Sequence, residues 1–377
     1  MKREVPTTID STDLILEILS RTSAKYISRF RRSSKFWSSI LRHQYFTELF
    51  LTRSSTRPRL LISLEKSGDL IFCSSPQFQN PEDSSLVVTA EFHISFPADW
   101  RLQNCCAVSG LIYCPNSPKS VDRLPVICKP STGQQVSIPK AKKTKELVHN
   151  FFGYDPILKQ FKLMVMSHDK DAVAEEFQIL TLGSGEWRLR KGILHHYPLS
   201  EGICINGVLY YIGRHVVGSV VVISCFDFRS EKKFSLIREV NGVTLWSRPS
   251  VLVNYKGKLG GIQSEWHANV DGRLNLELTL WVLEDVKKAE FSKRVYNLPE
   301  LWENRNVNAS VSIAGVTSTG EIVLSMEYTS NPFYVFYYNL DSYTLHRVEI
   351  QGIEAFESYR VRAFVDHVED LKFLTSS

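Results

Sequence analysis

The body of this chain is a repeat of short hairpins, and that repeat limits the folds open to it. An apolar run, a turn and a second apolar run recur in six segments: 60–72, 106–114, 151–166, 203–213, 251–262 and 311–324. A second kind of hairpin follows most of them, in segments 126–139, 177–190, 221–237, 278–295 and 334–348. Short runs rich in Val, Ile, Tyr and Phe between turn residues predict strands. Two hairpins per repeat give four strands, which make one propeller blade.

Six first hairpins predict a β-propeller-like domain with six blades over residues 58–370 of the 377. Segment 358–373 can add a strand beside the first hairpin and close the ring, which removes the open edge of the sheet. The pattern leaves two alternatives open. One is a ring of seven blades, and the other is a pair of β-sandwiches.

The residues before Arg59 follow the period of helices instead. Three short helices are predicted, and each begins at a Ser or Thr that can cap it: Ser11 or Thr12, Ser23, and Ser33 or Ser34. Their apolar positions are Leu14, Ile15, Ile18, Leu19, Ile27, Phe30, Phe36, Trp37, Ile40 and Leu41. Segment 43–51 can extend the third helix. Helices this short are unstable alone, and so few residues make a small core, so a partner surface is expected to supply burial.

Positive charge is concentrated in this helical head. Between Arg21 and Arg59 there are ten Lys or Arg and one acid, a net charge of +9, whereas the whole chain carries +5. The asymmetry indicates an interaction role for the head, not nucleic-acid binding along the chain. A DNA-binding motif fits poorly, because Phe36 and Trp37 crowd the helix that would enter a groove. The plainer alternative is a helical subdomain docked on the body, with its basic residues in solvent.

The order of residues in the head resembles the F-box. The matching residues are Asp13-Leu14, Glu17-Ile18-Leu19, Arg21, Lys25, Ile27, Arg29-Phe30-Arg31, Ser34-Lys35 and Trp37. The segment "YFTELFLTRSS" resembles the plant group in which an F-box precedes an F-box associated domain, which is kelch-like. The head departs from the family pattern where the family has proline or apolar residues: Asp10, Ser11, Thr22, Ser23, Arg32 and Ser33.

This resemblance implies a mainly β chain with a small α N-terminal domain, a three-helix F-box over residues 8–52. It implies that the head binds a Skp-type adaptor and through it a cullin. The β domain would bind a target protein for ubiquitylation and proteasomal degradation. The residues expected at the adaptor interface or supporting it are Asp13, Leu14, Glu17, Ile18, Leu19, Lys25, Ile27, Phe30, Lys35 and Trp37. Among them Glu17, Lys25 and Lys35 are expected at its polar rim. The alternative is a propeller scaffold whose degenerate F-box no longer binds the adaptor.

No catalytic motif is legible: the chain has no P-loop, no G-x-S-x-G and no H-E-x-x-H. Ser184 lies between glycines, but in a predicted hairpin turn. Cys105 and Cys106 lack the spacing of a zinc site, and His195 and His196 should point to opposite faces of a strand. We therefore expect no enzyme, no cofactor and no metal. An enzyme site in the propeller funnel would need convergent acids or metal ligands on the inner strands.

Three further features bear on location and recognition. Segment 140–145, "KAKKTK", is either a nuclear localisation signal or a solvated loop. The start lacks a secretory pattern, no run of eighteen apolar residues occurs, and the seven cysteines are expected to be reduced. The chain is thus expected in the nucleus or cytoplasm, with no membrane or nucleic-acid partner. Most of the tryptophans should pack between blades, with one or two on a recognition surface: Trp187, Trp246, Trp266, Trp281 and Trp302.

Overall fold

The head is a set of four short helices. The fold comes from a computed structural model that describes residues 11–66, 69–78, 87–97, 105–115, 124–142, 147–168, 176–191, 195–232, 234–238, 250–268, 274–298, 310–353 and 358–372. The helices are α1 (Ser11–Leu19), α2 (Ala24–Ser33), α3 (Lys35–Arg42) and α4 (Gln44–Ser55).

The three helices predicted from the sequence are thus four in the described chain. Segment 43–51 was expected to extend the third helix, but His43 leaves the helical conformation and its Nδ1 accepts a hydrogen bond from the Tyr45 amide, 3.3 Å away. The imidazole therefore caps a separate helix. The Ser34 side chain caps α3 through the Trp37 amide, as predicted.

The described strands form six sheets arranged as the blades of a propeller. Blade 1 contains β1 (Arg59–Lys66), β2 (Asp69–Pro76), β4 (Glu91–Pro97) and β25 (Arg360–His367). Blade 2 contains β5 (Cys106–Val108), β6 (Leu111–Cys114), β7 (Val126–Lys129) and β8 (Gln134–Ser137). Blade 3 contains β9 (Leu147–Asp155), β10 (Gln160–His168), β11 (Glu176–Thr181) and β12 (Trp187–Lys191).

The other three blades repeat the same antiparallel order. Blade 4 contains β13 (His196–Ile205), β14 (Val208–His215), β15 (Val221–Asp227) and β16 (Phe234–Arg238). Blade 5 contains β17 (Ser250–Tyr255), β18 (Lys258–Ala268), β19 (Leu274–Asp285) and β20 (Glu290–Asn297). Blade 6 contains β21 (Val311–Val316), β22 (Ile322–Met326), β23 (Tyr334–Tyr338) and β24 (Leu345–Gln351), with β3 (Val87–Thr89) added in parallel to β24. The predicted six-bladed architecture is confirmed.

Each pair of neighbouring blades encloses its own apolar core, so most strands are buried on both faces. In β6, Ile112 and Cys114 pack toward blade 1, whereas Leu111 and Tyr113 pack toward blade 3. This explains why strands such as "LIYC" are continuously apolar and do not alternate. No described helix is long and apolar enough to cross a membrane.

The ring is closed by the last strand. As predicted, β25 pairs antiparallel with β1, in a register that places Phe364 opposite Leu61 and Val361 opposite Leu64. On its other side β25 approaches β21 of blade 6, where a Cβ built at Gly315 would lie 2.9 Å from Val365 Cγ2. Gly315 also has a φ of +149°, which disfavours other residues.

We predict that Gly315→Ala weakens ring closure and lowers the free energy of unfolding by about 1–3 kcal/mol, because the methyl group must displace Val365. Gly261→Ala is the matched control, since a Cβ there meets nothing within 4 Å. Urea unfolding of both variants measures the difference. Equal stabilities would contradict the close packing of β21 on β25.

Candidate functional site

Helix α1 presents a row of large apolar side chains to solvent. Leu14, Ile15 and Ile18 are 52 %, 38 % and 62 % exposed, whereas Leu16 and Leu19 are buried. Residues at i, i+1 and i+4 share one face of a helix, so the three exposed side chains form a continuous patch. We call Leu14, Ile15 and Ile18 the α1 patch. Soluble proteins seldom expose such a patch unless something binds it.

The opposite face of α1 packs into a compact core. Its buried members are Leu16, Leu19, Ala24, Ile27, Leu41, Phe46, Phe50 and Leu371. Seven of these come from the four helices, but Leu371 arrives from the far end of the sequence. Trp37 packs against this core, and its ring meets Phe30 edge-on at 6.3 Å between centroids.

The ten residues predicted at the adaptor interface divide into three groups. Five are exposed: Asp13, Leu14, Ile18, Phe30 and Lys35. Leu19, Ile27 and Trp37 lie in the head core or against it. Glu17 accepts hydrogen bonds from Arg21 at 2.7 Å and Arg53 at 2.6 Å, and Lys25 donates to the Phe92 carbonyl of β4 at 2.7 Å. Four other exposed side chains of the head are not among the residues predicted at the adaptor interface: Ile15, Tyr26, Phe36 and Tyr45.

The departures from the family pattern that the structure describes are not members of the α1 patch. Thr22 donates to the Leu19 carbonyl at 2.8 Å, and Ser33 to the Phe30 carbonyl at 2.8 Å. Arg32 donates to the Ser28 carbonyl, and Ser23 to Glu91 of the propeller at 3.4 Å. Asp10 and the side chain of Ser11 lie outside the described residues. The four described substitutions therefore sit at helix ends and at the junction with blade 1.

Much of the basic charge of the head is used inside the molecule. Arg57 donates to the Ser20 carbonyl at 3.1 Å, and Arg59 donates to Ser74 Oγ at 2.7 Å. Arg31 is buried and donates to the Leu41 carbonyl at 3.1 Å through Nε and to the Leu371 carbonyl at 2.9 Å through Nη1. Burial lowers the pKa of Arg31 to about 10. These cations bond within the head, within blade 1 and to Leu371, so the charge open to a partner is smaller than the sequence indicates.

Near Arg59 lie two histidines, of which His367 is buried and His93 is partly buried. Ser74 Oγ accepts from Arg59 and lies 2.7 Å from His93 Nε2, so the hydroxyl proton is directed at a neutral imidazole. Burial, helped by His367, Arg59 and Lys25, lowers the pKa of His93 to about 3. Burial likewise lowers the pKa of His367 to about 4, with Arg59 and Lys129 acting in the same direction. Both rings are neutral packing groups at neutral pH.

An ion pair crosses the central channel of the ring. Arg362 on β25 donates to Glu201 on β13 at 3.1 Å, and these strands belong to blades 1 and 4, which lie opposite each other. The register of β13 shifts between Pro198 and Gly202, and that bulge contains Glu201. An acid of the inner strands is therefore neutralised by a cation within the channel.

The serine, histidine and cysteine residues that were not read as catalytic or metal-binding motifs contact neighbouring residues of the propeller. Ser184 lies in the turn after β11 and donates to the Thr181 carbonyl at 2.7 Å. His196 is buried, 2.6 Å from the Tyr211 hydroxyl, while the His195 ring stacks on His215. The Cys105 and Cys114 sulfurs lie 3.5 Å apart as free thiols.

Some of the predicted tryptophans and part of the basic run 140–145 lie within the described residues. Trp281 is buried, Trp187 donates to the Pro139 carbonyl, and Trp266 is 40 % exposed on blade 5. Trp246, Trp302 and residues 143–145 of the basic run lie outside the described residues. Lys142 in that run exchanges backbone hydrogen bonds with the Gln178 side chain.

One group of metal-ligating residue types was missed from the sequence. Glu265 and Glu277 face each other across β18 and β19, and His267 Nε2 lies 3.9 and 4.0 Å from their carboxylates. Glu277 follows Glu265 by twelve positions along the chain, so only the strand register shows the group. All three side chains are partly exposed, and they could hold a divalent cation.

Comparisons with known proteins agree with this architecture. A family described as "F-box domain" matches residues 11–49, and one described as "F-box associated beta propeller domain" matches residues 59–368. The F-box protein DOR of Arabidopsis thaliana is 42 % identical over 371 residues, covering 96 % of this chain and 93 % of that protein. F-box only protein 12 of the same plant is 43 % identical over 382 residues, covering 98 % and 82 %.

Likeness to solved structures is low. The SapL1 lectin in complex with alpha methyl fucoside aligns with a TM-score of 0.42 and 8 % identity, covering 79 % of this chain and 99 % of that chain. A likeness of this size does not indicate a shared ligand.

We predict that acid weakens the junction around His93 and His367. An unfolded histidine titrates near 6.5, whereas the folded pKa values are about 3 and about 4. Between these values the unfolded chain binds more protons. Stability is therefore complete above pH 6.5 and is lost as the pH falls, by about 1.4 kcal/mol per pH unit for each ring.

Urea unfolding between about pH 7.5 and about pH 5 measures this slope. His93→Gln should reduce it, because glutamine can still accept from Ser74 but does not titrate. His267→Gln on the exposed edge of blade 5 is the matched control. A slope that His93→Gln and His367→Gln both leave unchanged would contradict the assignment.

Proposed function

Because this chain belongs to the F-box proteins that carry an F-box associated β-propeller domain, we propose that it is the substrate-recognition subunit of an SCF-type ubiquitin ligase. The head binds a Skp-type adaptor and, through it, a cullin. The propeller binds a target protein and presents it for ubiquitylation and proteasomal degradation. The chain itself is a non-catalytic receptor, working in the nucleus or cytoplasm.

The α1 patch is the observation that carries this proposal. Three adjacent apolar side chains remain in solvent although the rest of the head has a closed core. Burying an exposed Leu or Ile contributes about 1.5 kcal/mol or more. Binding through the patch also explains why a head with so small a core keeps large apolar groups outside it. The exposed Phe30 and Lys35 extend the surface on α2 and α3.

The head occupies one end of the ring, which leaves the other end for a target. Strand β1 begins and β25 ends beside the helices, so the junctions β14–β15 and β18–β19 lie at the remote end. Exposed apolar residues occur there in the described chain, at Val217, Val220, Trp266 and Leu274. These residues are our candidates for target contact. A receptor that holds its target on one end and the ligase on the other raises the effective concentration of the two reactants.

The scaffold alternative differs in a single measurable property, adaptor binding. In that alternative the residues Thr22, Ser23, Arg32 and Ser33, which depart from the family pattern, prevent the head from binding the adaptor. Their placement at helix ends and against blade 1 favours the receptor, since none of them removes apolar surface from the α1 patch.

We predict that Leu14→Ala combined with Ile18→Ala weakens binding of a purified Skp-type adaptor by about a hundredfold, since two buried side chains at about 1.5 kcal/mol each are lost. The melting temperature should not change, because both side chains are exposed in the free protein. Isothermal titration calorimetry and thermal unfolding measure the two properties.

Val217→Ala combined with Val220→Ala is the matched control, because it truncates two exposed apolar residues on the remote end of the ring. It should leave adaptor affinity unchanged. If the intact chain binds no adaptor at low or moderate salt, the scaffold alternative leads. If it binds and the α1 variant binds equally well, the adaptor uses another surface.

A further inference from the structure

The chain continues beyond its closing strand and enters the head. Residues 368–372, which we call the tail, follow β25 directly and run between the helices and blade 2. The position follows from topology: β25 is the innermost strand of blade 1, and it ends where β1, the first strand after the helices, begins.

The side chain of Leu371 is part of the head core. It is fully buried in the same cluster as Leu16, Ile27 and Phe46, which come from three different helices. A core of so few residues has little redundancy. Removing one central leucine from it leaves a cavity that the surrounding helices must collapse to fill.

Two polar groups of the tail complete bonds that the helices cannot make themselves. The buried guanidinium of Arg31 uses the Leu371 carbonyl as the acceptor for Nη1. Glu369 accepts from the Ala24 amide at the start of α2, at 3.3 Å, where Ser23 holds the N-cap position without a side-chain capping bond. A carboxylate at this place also suits the helix dipole.

The propeller holds the tail from its other side. Lys129 at the end of β7 donates to the Lys372 carbonyl, and its Nζ lies 3.6 Å from the Asp370 carboxylate. Lys129 is itself buried. The tail is therefore bonded to α2, to the head core and to blade 2 within five residues.

We infer that residues 369–372 belong functionally to the adaptor-binding head, because they hold α1 and α2 in the position that the adaptor binds. This inference rests on the function proposed above. Because these residues reach the head only once β25 has paired with β1, the head is completed by closure of the ring. The adaptor then binds chains whose propeller is closed, and binds chains that lack β25 more weakly.

Three forms of the otherwise intact chain test the inference: one ending at Val368, one ending at Leu374, and the full-length Leu371→Ala variant. The first keeps β25 and loses the tail contacts, while the second keeps every tail contact as the matched control. Hydrogen exchange of α1 to α4 reports on the head without any partner. Titration with a purified Skp-type adaptor reports on binding, and exchange of β1 and β2 reports on ring closure.

The expected result is at least tenfold faster exchange in α1 and α2 and at least tenfold weaker adaptor binding, for the chain ending at Val368 and for Leu371→Ala. The chain ending at Leu374 should match the intact protein, and β1 and β2 should stay protected throughout. Unchanged head protection in both tail variants would overturn the inference.

The two proposals fail separately. If the intact chain binds no adaptor, the proposed function fails, and exchange of the head still decides whether the tail completes it. If the chain ending at Val368 does not fold, Leu371→Ala, which retains every tail backbone atom, decides the result alone.

Discussion

The pairing of β25 with β1 is the contact on which the rest of this molecule depends. It joins the last strand to the first, so blade 1 has four strands like its neighbour blade 2 and the chain closes into a ring. Strand β3 adds a second tie between blades 1 and 6 by pairing with β24. The same closure delivers the tail to the head. A single long-range strand pairing thus closes the propeller and also fixes where the helices lie on it.

The head is docked on the propeller through polar contacts, with one apolar anchor. Lys25 and Ser23 donate to the Phe92 carbonyl and the Glu91 carboxylate of blade 1, and Leu371 supplies the anchor. The docked subdomain that the sequence left open is therefore present. The docked head still leaves the α1 patch exposed to solvent. Several basic residues that the sequence offers to a partner instead bond within the protein, so less of the head's charge is open than the sequence indicates.

Hairpin periodicity predicted the propeller because each blade is local in sequence. The six first hairpins correspond to β1–β2, β5–β6, β9–β10, β13–β14, β17–β18 and β21–β22. Features that depend on distant chain were not predictable. Leu16 lies in the core that Leu371 joins from the far end of the chain, whereas Leu14 is exposed, and the helical period alone does not choose between them. The Glu265–His267–Glu277 group and the Arg362–Glu201 pair likewise require strand register and ring closure. The break between α3 and α4 was not predicted, because a histidine, His43, caps α4.

The head is held in one position on the propeller, and a distance measurement tests this directly. Spin labels attached through unnatural amino acids at Tyr45 on α4 and Tyr343 on blade 6, both exposed, report the separation of the two parts by pulsed electron paramagnetic resonance. We predict one narrow distance distribution, unchanged when a Skp-type adaptor binds. A broad distribution, or one that narrows only with the adaptor, would mean that the head moves freely on the propeller and would contradict a fixed geometry.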